Sequence, residues 1–256
     1  MRRYLQGTLD FACGIYAVIN GLSITHDIPL TDARLIFQDT HAALAANPAL
    51  WNRYLKNDTD HYWLVRALLR RIGSAAPYTL DMSQPFGGWL RLDDSRNRQS
   101  GTGLFQSPVF FASGRKKNGA KGLASPCVLP EDFALPLSHL YLPEEHEPYG
   151  PPSLAALQRE IDAVWTELAS WFQSSLALRE KRAVILRFHR FLPAYPQPVV
   201  SHWTTAHSLQ NGTLLLHDAS AEQGSIFELE YRALLPQKAE RPLLRIVPES
   251  LVFIRN

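Results

Sequence analysis

Residues 201–218 read SHWTTAHSLQNGTLLLHD and carry the strongest folding signal in the chain. Asn211-Gly212 lies between two runs of strand-forming residues, and this dipeptide is one that a two-residue hairpin turn favours. His202 opens the first run, and Asp218 closes the second. Because the open ends of an antiparallel hairpin are neighbours, we expect the imidazole and the carboxylate to meet.

Around this hairpin, the chain reads as helices first and strands afterwards. Apolar residues at helical spacing and end signals predict four helices, at about residues 13–22, 31–46, 60–72 and 153–179. We expect Gly21 to weaken the end of the first helix, since glycine is a poor helix former. Short β-rich runs predict further strands at about residues 183–188, 243–247 and 251–254. This order of elements indicates an α+β fold.

The composition is typical of a globular protein and does not indicate a nucleic-acid or membrane partner. The chain has 256 residues, 46% of them hydrophobic, and a formal net charge of +2. This balance does not favour a nucleic-acid binder, and two cysteines are too few for a disulfide framework. No apolar run is long enough for a membrane helix, and the polar start does not resemble a signal peptide. We therefore expect a cytoplasmic protein, or an effector secreted without a cleaved signal peptide.

The middle of the chain is irregular in composition. Residues 83–152 contain glycine-rich pieces, a basic loop and many prolines. We interpret them as a long insertion, able to select substrates, within a single domain over residues 1–256. Trp89 lies in a glycine-rich piece of this region, and we predict that it lines a substrate cleft.

Cys13 lies at the start of the first predicted helix, in the stretch QGTLDFACG of residues 6–14. Backbone N–H groups and the helix dipole stabilise a thiolate at such a position and lower the pKa of the thiol. Gly14 leaves space beside the sulfur for a substrate backbone. The side-chain amide of Gln6 could join the N–H of Cys13 in holding a developing oxyanion. The alternative is that Cys13 is a small buried core residue, the usual fate of a free cysteine.

Other candidates for the chemistry are weaker. His207 lies five positions from His202, so a regular strand turns it to the opposite face, and His217 likewise points away from its neighbour Asp218. His189 is an outside candidate, while Cys127 has neither a helix start nor a nearby base. No spacing of histidines or cysteines matches a metal motif, and we expect neither a metal nor a cofactor.

The residues of 6–14, the pair His202-Trp203 and the aspartate after the hairpin together resemble the papain-like cysteine peptidases. The closer likeness is to the bacterial peptidases that process double-glycine leader peptides. The resemblance covers about the first 25 residues and residues 201–220. It implies a papain-like fold, with the cysteine helix packed on a C-terminal antiparallel sheet. It also implies Cys13 as nucleophile, His202 as general base, Asp218 as the residue that orients it, and Gln6 as oxyanion donor.

Three hypotheses follow for the function. The first is a thiol-dependent hydrolase that cleaves a peptide or isopeptide bond, with Gly14, Trp203 and Trp89 in contact with substrate. Its partner would be a protein or peptide, such as one with a glycine-ending or ubiquitin-like tail, and neither nucleic acid nor membrane. The second keeps the same site in a deamidase or acyltransferase effector. The third is a papain-fold adaptor without enzymatic activity.

Overall fold

The computed structural model describes residues 12–55, 62–73, 77–87, 154–178, 180–190, 200–218, 227–235 and 244–256. Among these residues the predicted α+β class is confirmed, because helices pack on a single antiparallel sheet. None of the helices in these ranges is long and apolar enough to cross a membrane. Most of residues 83–152 lie outside the described ranges, so the central insertion and the single domain stay predictions.

Four helices form the N-terminal part and one long helix precedes most of the strands. They are α1 (Cys13–His26), α2 (Leu30–Ala45), α3 (Pro48–Leu55), α4 (Tyr62–Gly73) and α5 (Leu154–Leu178). One further short helix, α6 (Tyr231–Leu234), and a 3-10 turn (Pro248–Ser250) lie between the later strands. The four predicted helices are confirmed, and α3 is an addition.

The first helix is longer than the sequence indicates. It runs through Gly21 to His26, where Asp27 ends it in the left-handed conformation with a φ of 54°. Gly21 serves packing here and does not end the helix. A Cβ on it would lie 2.8 Å from Ile254 Cδ1 and 3.3 Å from Ile185 Cδ1. The expectation that Gly21 weakens this end was wrong, because the close approach of α1 to the sheet outweighs helix propensity.

Within the described ranges, seven strands form the sheet. They are β1 (Asp81–Ser83), β2 (Arg182–Arg190), β3 (Val200–Gln210), β4 (Thr213–His217), β5 (Glu228–Glu230), β6 (Leu244–Ile246) and β7 (Val252–Arg255). Their order is β1-β7-β2-β3-β4-β5, and β6 also pairs with β2. All five predicted strands are present. The three-residue strands β1 and β5 were not predicted, because so short a run shows no periodicity.

The sheet is covered on both faces. Strand β2 is buried along almost its whole length, and its alternate residues enter two separate apolar clusters. Ala183 and Ile185 pack with the helices α1 to α4. Val184, Leu186 and Phe188 pack with α5 on the other face. The result is a three-layer arrangement with β2 and β3 at its centre, which holds the hairpin between two cores.

Candidate active site

His202 and Asp218 form a buried pair at the open end of the β3–β4 hairpin. His202 Nε2 lies 2.6 Å from Asp218 Oδ1. The aspartate is fully buried, and the histidine is 9% exposed. The expectation that these side chains meet is confirmed. The turn is also as predicted, because Asn211 and Gly212 both adopt positive φ, at 50° and 76°, as a type I′ turn requires.

A β-bulge lies between this pair and the turn. Ala206 and Ser208 of β3 pair with the consecutive residues Leu216 and Leu215 of β4. His207, which lies between them, is therefore an extra residue in β3. The sequence predicts a regular strand at this position, without the bulge.

The bulge determines on which face of the hairpin the side chain of Asp218 lies. In an unbroken register, Asp218 would lie opposite Thr205, three positions from His202 and so on the other face of β3. The bulge shifts the register by one residue, so that Thr205 pairs with His217. The next position along β3 is Thr204, which shares its face with His202. The carboxylate and the imidazole can therefore meet only because β3 carries one extra residue.

Cys13 is the first residue of α1 and belongs to the same site. It is a buried free cysteine whose side chain forms a hydrogen bond with His202. Because Asp218 occupies Nε2 of the imidazole, the nitrogen left for the thiol is Nδ1. The first intrahelical bond of α1 runs from the N–H of Tyr16 to the carbonyl of Ala12, at 3.0 Å. The N–H groups of the first helical turn, including that of Cys13, therefore have no acceptor within the helix.

The environment of His202 favours the charged imidazolium. Burial by itself would lower the pKa of His202, but hydrogen bonds to Asp218 and Cys13, together with their negative charges, raise it to about 10. A cation is thus held between a carboxylate and a thiol. By reciprocity, a charged His202 stabilises a thiolate on Cys13 as strongly as the thiolate stabilises it.

Four more residues were predicted to contact the substrate or the oxyanion, and the structure describes two of them. Gly14 is buried directly after the nucleophile candidate. Trp203 is fully buried, and its ring packs edge-on against Tyr62 with centroids 5.0 Å apart. Trp203 thus belongs to the apolar core between the sheet and the helices α1 to α4, and its contact with a substrate stays a prediction. Gln6 and Trp89 lie outside the described residues.

The other histidines weighed for the chemistry, His189, His207 and His217, make different contacts. His207 contacts His217, with ring centroids 4.7 Å apart. His189 pairs with Ser201, whereas His202 pairs with Phe188, so His189 and His202 occupy opposite faces of the sheet. Cys127 lies outside the described residues. Within the described ranges, no cluster of three or more histidine, cysteine, aspartate or glutamate residues has a geometry that could hold a metal ion.

Two polar residues at the interface between α1 and the hairpin make hydrogen bonds that the sequence did not predict. Thr205 Oγ1 donates a 2.6 Å hydrogen bond to the carbonyl of Ala17, and Asn20 Nδ2 donates a 3.3 Å bond to the carbonyl of His217. No local pattern could have found these bonds, because their partners are 188 and 197 residues apart in the chain.

No protein-family model, characterised protein or solved structure matches this chain.

Proposed function

We propose that this protein is a thiol-dependent hydrolase that cleaves a peptide or isopeptide bond, with Cys13, His202 and Asp218 as its catalytic residues. One observation carries the proposal. A single buried imidazole binds a carboxylate at 2.6 Å on one side and a cysteine at a helix start on the other. A purely structural cysteine has no need of a base that is itself oriented by a carboxylate.

The architecture supports a papain-like fold as part of this proposal. The helix α1, which carries Cys13, packs against β3, which carries His202. Thr205 of β3 also donates a hydrogen bond directly to that helix. The order of the chemistry along the chain is cysteine, then histidine, then aspartate, as the resemblance implies. A peptide bond after a small residue such as glycine is the substrate that we propose, on the ground of the resemblance to the peptidases that process double-glycine leader peptides.

The proposed reaction proceeds through a thioester. The thiolate of Cys13 attacks the carbonyl carbon of the substrate, and the carbonyl electron pair moves to the oxygen. Backbone N–H groups and the dipole at the start of α1 favour this oxyanion, and Gln6 is the proposed second donor. The intermediate then expels the amine, which takes a proton from the imidazolium of His202.

Water completes the cycle. Neutral His202 accepts a proton from a water molecule, whose oxygen attacks the thioester carbonyl. The second tetrahedral intermediate releases the carboxylic acid product and the thiolate, and His202 keeps the proton. Asp218 holds the ring orientation through both steps and stabilises the charged imidazole. Each proton and electron pair is accounted for by these three side chains and water.

The test is the pH dependence of Cys13 alkylation by iodoacetamide. The Cys127→Ser background leaves Cys13 as the only thiol, since the chain has two cysteines. We expect the rate to rise with an inflection well below about 8.5, the usual pKa of cysteine. The variant His202→Ala should return the inflection to that value. The matched control is His207→Ala, which removes a half-buried histidine of the same strand without touching the pair.

Two further results would decide the reaction. Peptides with glycine before the scissile bond, and ubiquitin-like tails, should be cleaved by the wild type and not by Cys13→Ala. Intact-mass measurement should detect a thioester adduct on the wild type. An inert or normally titrating Cys13 would contradict the proposal and would leave a buried structural thiol in a binding protein.

A further inference from the structure

Two hydrogen bonds from buried side chains join α1 to the hairpin near the proposed site. The hydroxyl of Thr205 donates to the carbonyl of Ala17, and the amide of Asn20 donates to the carbonyl of His217. Thr205 and Asn20 are both fully buried in a layer that is otherwise mainly apolar. Buried polar side chains are costly unless they are satisfied, so their presence in this layer calls for an explanation.

The two bonds meet at one position of the hairpin. Thr205 and His217 are directly paired across β3 and β4. Ala17 and Asn20 are three residues apart in α1 and so lie on one face of the helix. The helix is therefore attached twice to a single rung of the hairpin, once through each strand.

This rung lies close to each proposed catalytic residue. Ala17 is one helical turn from Cys13. Thr205 is three residues from His202 in β3, and His217 immediately precedes Asp218. A movement of α1 along or around its axis would change the distance from the thiol to the imidazole, and both bonds oppose such a movement.

We propose that Thr205 and Asn20 are positioning residues that set the register of α1 against the hairpin, and thereby hold the Cys13 thiol within hydrogen-bonding distance of His202. Apolar packing alone is not directional, so it permits a helix to slide or rotate on a sheet by fractions of an ångström. Satisfied buried hydrogen bonds remove this freedom. The inference rests on the proposed function, in which a misplacement of about 1 Å costs on the order of a hundredfold in rate.

The test uses Thr205→Val, which removes the hydroxyl and keeps a β-branched side chain. The matched control is Thr40→Val. Thr40 is also fully buried and also donates a 2.6 Å bond to a helix carbonyl, that of Ile36, but it lies in α2. Each variant loses one buried hydrogen bond from a hydroxyl to a helix carbonyl, within α2 for Thr40→Val and between β3 and α1 for Thr205→Val. Urea unfolding measures the stability that each loss costs. The readout that separates them is the pH profile of Cys13 alkylation.

We expect Thr205→Val to move the inflection of alkylation upward by about one pH unit, toward the ordinary cysteine value. It should also slow peptide cleavage by about tenfold to a hundredfold. Thr40→Val should leave both quantities at their wild-type values. Thr205→Ser, which restores a hydroxyl, should recover most of the wild-type profile. Asn20→Ser breaks the second bond independently, and it should shift the inflection in the same direction if Thr205→Val does not fold.

The outcomes distinguish this inference from the function on which it rests. A low inflection in the wild type, unchanged in both Thr205→Val and Asn20→Ser, overturns the positioning role and leaves the proposed function intact. A shift of equal size in Thr40→Val also overturns it, because the effect would then report stability alone. A wild-type inflection near the ordinary value overturns the proposed function and the positioning role together.

Discussion

The β3–β4 hairpin contains two histidine pairs that differ in their electrostatics. At its open end, His202 contacts the carboxylate of Asp218 at 2.6 Å. Closer to the turn, the ring of His207 lies against the ring of His217, with centroids 4.7 Å apart. The first pair joins β3 to the residue directly after β4, the second joins β3 to the last residue of β4, and the two are separated by only a few positions.

The difference shows that the partner decides whether a buried histidine is charged. Desolvation lowers the pKa of His207, for which no opposing cause is resolved among the described residues. Desolvation also acts on His202, which is buried more deeply. Hydrogen bonds to Asp218 and Cys13 and their charges nevertheless raise the pKa of His202 to about 10. Burial alone would make both rings neutral. One hairpin therefore carries a histidine suited to pair with a thiolate and another that is suited to packing.

The largest expected effect comes from removing one histidine of each pair. His202→Ala should reduce peptide cleavage by about 10²- to 10⁴-fold, because it removes the proposed general base. His207→Ala should retain activity within about threefold, since surface or packing residues away from the chemistry act only through stability. Steady-state cleavage of the same glycine-containing peptide checks both. Equal losses in the two variants would remove the distinction between the pairs.

The next effect concerns stability. Asp218→Ala should lower the free energy of unfolding by about 3 kcal/mol at pH 6, because it leaves the charge of His202 buried without its carboxylate. This value is at the lower end for a broken buried pair, since His202 can release its proton. The counterpart His217→Ala should cost about 1 kcal/mol. Urea unfolding measures both, and a smaller loss in Asp218→Ala than in His217→Ala would contradict the comparison.

The two histidines should also affect the pH dependence of stability in opposite directions. His202 has a folded pKa of about 10, above its usual 6.5. Its contribution is therefore complete below pH 6.5 and is lost as the pH rises toward 10. His207 has a lowered pKa in the folded state. Its contribution is present above pH 6.5 and is lost as the pH falls below that value.

Urea unfolding across the pH range separates these two contributions. The His202→Ala variant should flatten the alkaline limb of the stability curve, and the His207→Ala variant should flatten the acid limb. If both substitutions alter the same limb, the assignment of charge to the two pairs is wrong.

The smallest expected effect lies at the closed end of the hairpin. Gly212 adopts a φ of 76°, and a Cβ added to it would meet no atom within 4 Å. The cost of Gly212→Ala is therefore a backbone cost alone, about 1–2 kcal/mol for a left-handed residue. The alkylation profile of Cys13 should not change. A shifted profile would show that the turn, and not the bulge and the α1 contacts, controls the site.

Much of the fold could be predicted because the signals are local. Asn211-Gly212 predicted the turn, and helical spacing of apolar residues predicted α1, α2, α4 and α5. Turn chemistry and periodicity act within a few residues, so a single sequence is enough to reveal them. The end of α1 was predicted too early, because Gly21 packs closely against Ile185 and Ile254, which are distant in the chain.

The sequence by itself determined which side chains the site contains: a cysteine at a helix start, and a histidine and an aspartate at the open end of one hairpin. Only the tertiary structure decided that they meet. The extra residue His207 turns Asp218 to the face of His202, and the bonds of Thr205 and Asn20 set the place of α1 beside them. The physical reason is that face and distance depend on register between strands and on contacts across nearly 200 residues, which no local pattern encodes.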